Sequence, residues 1–304
     1  MPIHERDPWR AQYFAGVDCP DNVFIPTDDY NAYRWNLPHR WVYNKLQIAE
    51  SQDLSCAPHG VEPKTYPVFS KPIYNLAGMG VGSRALWNSS DYAAYETPGH
   101  MWMTLLDGEH VSSDIAVIKG KVHWVRNCVG LAGPAGTFDY WIVEAHRRPA
   151  LENYCVNWIE SRLNDYTGML NIETIGGKII EMHLRFSDQW PDLYGLGWLD
   201  AMVGVYSRGR WEFAEKARVP GYSVALFGPH GRGFAHPSKE IRYKVLAMSG
   251  ISSSQITFHE GRSRSPRHAA GRVPPGRRQR LEPIGRTSGP RPTSTRIWCF
   301  CADT

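Results

Sequence analysis

A chain of 304 residues with 42% hydrophobic and 21% charged content can bury one large core or several smaller lobes, which excludes a disordered or fibrous protein. No apolar run approaches the roughly 20 residues that cross a bilayer, and Met1 to Asp7 lack the charged-then-apolar layout of a secretion signal, so a cytoplasmic location without a membrane partner is expected. The net charge of +4 is uneven: from Gly261 onward ten arginines face only Glu282 and Asp303, giving the tail +8 and leaving −4 on residues 1–260.

Residues 1–39 are rich in aromatic residues, Pro and Asp without clean periodicity, and read as an irregular lead-in packed through Trp9, Tyr13, Phe14 and Trp35, with no functional signal. Trp41 to Ala49 has the apolar spacing of a short helix, ended by Pro58, Gly60 and Pro63 before a strand at Tyr66 to Phe69. A strand end at Lys71 then runs into a loop with Gly78, Gly80 and Gly82 at alternate positions, a sequence that lets backbone amides approach an anion. From His100 the pattern predicts an antiparallel meander: Met101–Leu106, Val111–Ile118 and Lys121–Val125, turned at Asp107-Gly108 and Lys119-Gly120. Asn127 to Gly136 reads as a loop, Phe138 to Glu144 as a strand, and Pro149 to Leu163 as a helix with Tyr154, Trp158 and Ile159 on one face. A hairpin over Gly168 to Phe186 follows, then strands at Tyr222–Phe227 and Ser254–Phe258 that read as a small closing lobe. Residues 261–304, dominated by Arg, Pro, Ser and Gly, are expected to be a disordered basic tail, because they cannot bury enough surface to offset the entropy of ordering. Their composition equally matches a GC-rich stretch read in an unintended frame; contact with nucleic acid is expected only weakly, since no aromatic platform interleaves the arginines. The six cysteines, Cys19, Cys56, Cys128, Cys155, Cys299 and Cys301, show no zinc spacing and read as reduced thiols.

The hairpin carries the most chemistry. A three-residue turn at Gly176-Gly177-Lys178 sets Ile175 against Ile179, Glu173 against Glu181 and Asn171 against His183, with Arg185 continuing the same face. A two-residue Gly-Gly turn slips the register by one and splits the carboxylates between faces. Facing carboxylates repel unless a cation sits between them, so the pattern asks for a divalent metal or a close arginine; hard oxygen ligands favour Mg2+, and the imidazole of His183 suits Mn2+ better. A merely solvated hairpin face is the alternative.

Glu181-Met182-His183-Leu184-Arg185 resembles the Glu-x-Asn-x-Arg strand of the ATP-grasp superfamily, with His183 in the Asn place. Tyr66 to Lys71 and the glycine loop look like that superfamily's phosphate-binding lysine strand and phosphate-covering loop, Trp41 to Lys45 like its earlier lysine helix, and Met103 to Asp114 like its adenine hinge. The resemblance spans about residues 40 to 211 and rests on four short motifs in the right order. It implies an α+β fold of two lobes whose antiparallel sheets clasp a nucleotide, with a small lobe over residues 40–100, a large lobe over 101–215 and the closing β segment over 216–260. It also implies ATP and Mg2+ as cofactors and a ligase that joins a small-molecule carboxylate to an amine through an acyl phosphate. On this pattern Lys45 and Lys71 meet phosphates beneath Gly78, Gly80 and Gly82; Met103, Leu105 and His110 line the adenine and ribose; Glu173, Glu181 and His183 hold the metal; Arg185 and Lys71 serve the transfer. Ser187, Asp188 and Gln189 are candidates for orienting substrate. Met103 and His110 stand where acidic residues are usual, which keeps open a degenerate nucleotide-binding protein without turnover. His183 keeps open a metal-dependent enzyme in which His183 and Glu181 combine with His100 or His110.

Overall fold

The computed structural model describes residues 11–76, 80, 82–132, 138–215, 217–227, 237–256 and 294–300. Cys56–Pro58 (β1), Val68–Pro72 (β2), Arg84–Leu86 (β3) and His100–Thr104 (β4) form an antiparallel sheet in the order β1-β4-β2-β3. A second sheet takes His110–Ile118 (β5), Lys121–Ala132 (β6), Phe138–Val143 (β7), Gly168–Ile175 (β8), Lys178–His183 (β9), Gly221–Phe227 (β10), Ile251–Ile256 (β11) and Ser294–Phe300 (β12), in the order β11-β12-β10-β7-β6-β5-β8-β9. Six α-helices accompany them among the described residues: Asp29–Trp35 (α1), Lys45–Glu50 (α2), Ser89–Tyr95 (α3), Pro149–Arg162 (α4), Trp198–Arg208 (α5) and Lys239–Leu246 (α6). The two sheets, each with its own helices, make the expected α+β, two-lobed architecture.

Strand β5 explains how the large lobe is layered. It is buried along almost its whole length, so its two faces need two covers. Ile115 and Val117 pack with Cys155, Trp158 and Ile159 of α4, whereas Ala116 and Ile118 join Trp198, Met202 and Val205 of α5. Trp190 and Trp198 are core residues. On the α5 side the apolar face gives way at the β5 start to His110, Ser112 and Asp114. A sheet face that turns polar while still buried must satisfy each group, and these groups define the candidate site.

Several expectations change. The meander breaks after its first strand: β4 pairs in the small sheet and β5 in the large one, so 105–109 is a connection between lobes, not a hairpin turn. Its Gly108 (φ +122) lies against Gly176, where an added Cβ would meet the Gly176 Cα at 2.9 Å. Strand β6 runs on to Ala132 through the segment expected to be a loop. The strand expected at Tyr66 starts at Val68 and carries Lys71 inside it. Strand β10 extends the large sheet on β7, so the closing strands are the sheet's own edge and not a separate lobe. Within the tail expected to be disordered, Ser294–Phe300 pairs with β10 and β11, and both of these pairings are parallel, unlike the rest of the sheet. The remaining tail and Gly78 lie outside the described residues.

The hairpin register shows a compensation. The turn is the two-residue Gly176-Gly177 type, with Ile175 opposite Lys178 and Thr174 opposite Ile179, contrary to the expected Ile175–Ile179 pair. A bulge then leaves Ile180 unpaired, and beyond it Glu173 faces Glu181 and Asn171 faces His183. The shorter turn and the extra residue cancel, so the carboxylates stay on one face. Gly176 has φ +55, and a Cβ there would lie 2.2 Å from the Asp107 carbonyl oxygen. Gly176→Val should therefore lower the unfolding free energy by about 2–4 kcal/mol in a urea titration; a loss below about 0.5 kcal/mol would show that this turn does not fix the hairpin.

Candidate functional site

Three segments deliver the central groups. Asn44 caps α2 by accepting from the Leu46 and Gln47 amides at 3.1 and 3.3 Å, and the Lys45 amide bonds the Ile73 carbonyl at 3.0 Å just after β2. Lys45, first in that helix, reaches Glu181 Oε2 at 2.6 Å with its side chain 7% exposed. Lys71 projects from β2 and donates to the Ile180 carbonyl at 2.7 Å, an acceptor that the bulge leaves outside the β8–β9 pairing. Gln52 locks the same strand: its amide donates to the Ile179 carbonyl at 2.8 Å and accepts from the Ile179 amide at 2.7 Å. The edge strand β9 is thereby covered by the small lobe.

The carboxylate pair is surrounded by nitrogen groups. His183 Nε2 lies 3.1 Å from Glu181 Oε1 and 3.9 Å from Glu173 Oε1, and His110 Nε2 lies 2.8 Å from Glu173 Oε2. On its other side His183 Nδ1 meets Asp29 Oδ1 at 3.0 Å. Arg185 forks onto Asp29 through Nε (2.9 Å) and Nη2 (3.0 Å), and the Tyr43 hydroxyl donates to Asp29 Oδ1 at 3.1 Å. Farther along the face, buried Asp114 accepts from Asn171 Nδ2, the Ser187 amide and the Tyr194 hydroxyl, each at 2.8 Å.

Proton affinities follow from these neighbours. Burial opposes a charged imidazole at His183, but the Asp29 and Glu181 carboxylates together lift the group from 6.5 to about 9. Burial likewise opposes ionised Asp29 and Glu181, yet Arg185 with His183 and His183 with Lys45, respectively, hold both well below the usual carboxylate range. At Lys71 burial, aided by repulsion from Lys45, brings the ammonium from 10.5 down to about 8. At Asp114 burial wins over its three donors and raises the acid to about 6.

Both nitrogens of His183 face carboxylates, and Glu173 and Glu181 also engage His110 and Lys45. Among the described residues no group of three His, Cys, Asp or Glu side chains is arranged to hold a metal ion. The facing carboxylates lie against protein nitrogen groups, and Glu173 and Glu181 are the oxygen donors present there for a divalent cation. Of the alternative ligands, His100 belongs to the small sheet and packs on His59 at 5.7 Å between ring centroids, while His110 bonds Glu173.

Other expected residues spread out. Met103 is buried with Ala49 and Met101 under the small sheet, an apolar surface, and Leu105 lies in the connection between the lobes. Gly80 and Gly82 have positive φ, +58 and +81, and a Cβ on Gly82 would approach His100 Nε2 at 3.1 Å. Asp29, Tyr43, Gln52 and Asp114 are participants that the sequence did not single out as such. Only the Asp28-Asp29 pair at a helix start gives any signal, and it reads as a cap.

No protein-family model and no curated protein matches this chain. Among solved structures, carboxyaminoimidazole ribonucleotide synthase from Aspergillus clavatus, complexed with ATP, superposes with a TM-score of 0.52 at 12% identity, over 79% of this chain and 67% of that one. Biotin carboxylase from Campylobacter jejuni, in a β-γ-ATP complex, gives 0.50 at 14% identity, over 70% of this chain and 59% of that one. L-amino acid ligase from Bacillus licheniformis gives 0.46 at 15% identity over 65% of this chain, which spans 59% of that ligase.

The raised His183 carries a pH signature. Stabilisation from a group whose folded pKa exceeds its unfolded one is complete below 6.5 and is lost as pH rises through about 9. Lys71, lowered to about 8, acts in the opposite direction above that pH, so the informative quantity is a difference between variants. The stability gap between the native chain and His183→Gln should shrink steadily across this window in thermal unfolding, and a gap that does not change with pH would contradict the ionised assignment.

Proposed function

Because this chain has the ATP-grasp fold, we propose that it is an ATP-dependent ligase that activates a small-molecule carboxylate and joins it to an amine. The observation that carries this reading is the convergence of Lys45 and Lys71, from the helix and sheet of one lobe, on the β9 edge of the other. Two buried ammonium groups at the junction of two sheets suit a polyphosphate, whose oxygens accept from several donors at once. Both distances are short enough that each lysine is held in place, and phosphoryl transfer depends chiefly on positioning and charge neutralisation.

In the first step a substrate carboxylate oxygen attacks the γ-phosphorus, the bond to the β-phosphate oxygen breaks, and ADP leaves. In the second the amine attacks the carbonyl carbon, phosphate departs with the bonding electron pair, and the amine's proton passes to solvent. Lys45 and Lys71 would neutralise the phosphates, with Glu181 orienting Lys45, and Gly80 and Gly82 belong to the loop that would cover them. Met103 and Leu105 would supply an apolar surface for the adenine, with His110 near the ribose. Arg185 would meet the transferring oxyanion. Glu173 and Glu181 would hold Mg2+, which would add charge neutralisation at the phosphates.

A second reading, a nucleotide-binding protein without turnover, draws support from Arg185, each of whose three nitrogens donates to Asp29 or the Phe186 carbonyl. ADP release from ATP with pooled carboxylates and amines distinguishes the two. The ligase reading expects substrate-dependent release that falls about a hundredfold or more in Lys71→Ala and Glu181→Gln. ATP binding without release would favour the second reading, and no ATP binding would overturn both.

A further inference from the structure

Glu173 and Glu181 face each other on adjacent strands, yet their partners differ. Glu181 Oε2 lies 2.6 Å from the Lys45 ammonium and its Oε1 lies 3.1 Å from His183 Nε2, whereas Glu173 Oε2 is bonded to His110 Nε2 at 2.8 Å. The two lysines differ in a matching way: Lys45 is bonded to a carboxylate, and Lys71 to the neutral Ile180 carbonyl at 2.7 Å. One contact therefore joins a group suited to phosphate with a group suited to a divalent cation.

That contact sits where water screens little, with the Lys45 side chain 7% and the Glu181 side chain 22% exposed. A phosphate drawn to Lys45 alone comes against the Glu181 carboxylate, and a divalent cation drawn to Glu181 alone comes against the Lys45 ammonium. Both are approaches of like charge in a poorly screened setting, so each is unfavourable by itself. When phosphate and cation arrive together, the ammonium turns to the phosphate, the carboxylate turns to the cation, and each of the four charges keeps an opposite neighbour. Opening the pair without that exchange leaves a buried charge uncompensated. Lys71 carries no such condition, because the carbonyl it would leave behind is neutral.

We propose that the Lys45–Glu181 contact is a latch that turns away free polyphosphate and free divalent cation and opens only to the two together. The latch rests on the ligase reading for its physiological ligand, but it is read by binding and needs no turnover. Metal-free ATP, in EDTA, is titrated by calorimetry into the native chain, Glu181→Gln and Glu173→Gln. Mn2+ without nucleotide, counted from the resonance signal of the free ion, is titrated into the native chain, Lys45→Met and Lys71→Met. Glu173→Gln and Lys71→Met remove the same charge beside the same site and leave the latch closed, so they separate the contact from the general field. Metal-free ATP should bind Glu181→Gln at least about tenfold more tightly than it binds the native chain or Glu173→Gln, and Mn2+ should bind Lys45→Met at least about tenfold more tightly than the native chain or Lys71→Met. A smaller gain in either arm, or one matched by its control variant, would overturn the proposal. Where a variant does not fold, the other arm alone supports or overturns the latch. Absence of ATP binding in the native chain even with Mg2+ would remove the ligase reading while the Mn2+ arm still decides the latch. ATP binding with Mg2+ but no gain in either arm would remove the latch and leave the ligase reading standing.

Discussion

Two carboxylates, Glu173 and Glu181, face each other on adjacent strands, and neither is more than a quarter exposed. Charges of one sign at that separation in a poorly solvated setting must be compensated, and here Lys45 and His183 do so for Glu181 while His110 Nε2 bonds Glu173 at 2.8 Å. Compensation then propagates. An imidazolium between carboxylates needs an anion behind it, which is Asp29; Asp29 in turn holds Arg185 and the Tyr43 hydroxyl. The order of charges from Glu181 through His183 and Asp29 to Arg185 alternates in sign, and that alternation makes a buried network tolerable.

The same requirement ties the lobes together. Lys45 leaves the small lobe's helix to reach Glu181, Lys71 leaves its sheet to reach the bulged Ile180 carbonyl, and Gln52 bonds both backbone groups of Ile179. A hairpin edge that would otherwise offer unpaired donors and acceptors is thus closed by side chains from the other lobe. Lys45, Lys71 and Gln52 thus hold the two sheets together across this edge.

Much of the site was legible in the sequence because strand periodicity is strict. The alternation of Asn171, Glu173, Glu181 and His183 fixes a common face, and the facing of Glu173 with Glu181 holds although the turn is two residues and not three. The bulge at Ile180 was not legible, since no residue type there requires one. The need for a cation between the carboxylates was also legible from charge alone. Its identity was not, because whether an imidazole is a ligand or an imidazolium depends on what stands behind it, and Asp29 is more than 150 positions away in the chain.

By itself the sequence determined the local quantities: two glycine-bounded strands of alternating polarity, a lysine at a strand followed by glycines, an apolar helix face at Trp158 and Ile159, and an excess of facing carboxylates. Each depends on neighbours within a few residues, where backbone geometry leaves little choice. Tertiary structure alone decided that β4 and β5 belong to different sheets, that residues near 29 enter the site, and that residues 294–300 pair as a strand. These outcomes rest on pairings between distant segments, which are selected by the joint burial of apolar faces and the neutralisation of buried charge, and no short window of sequence contains both partners.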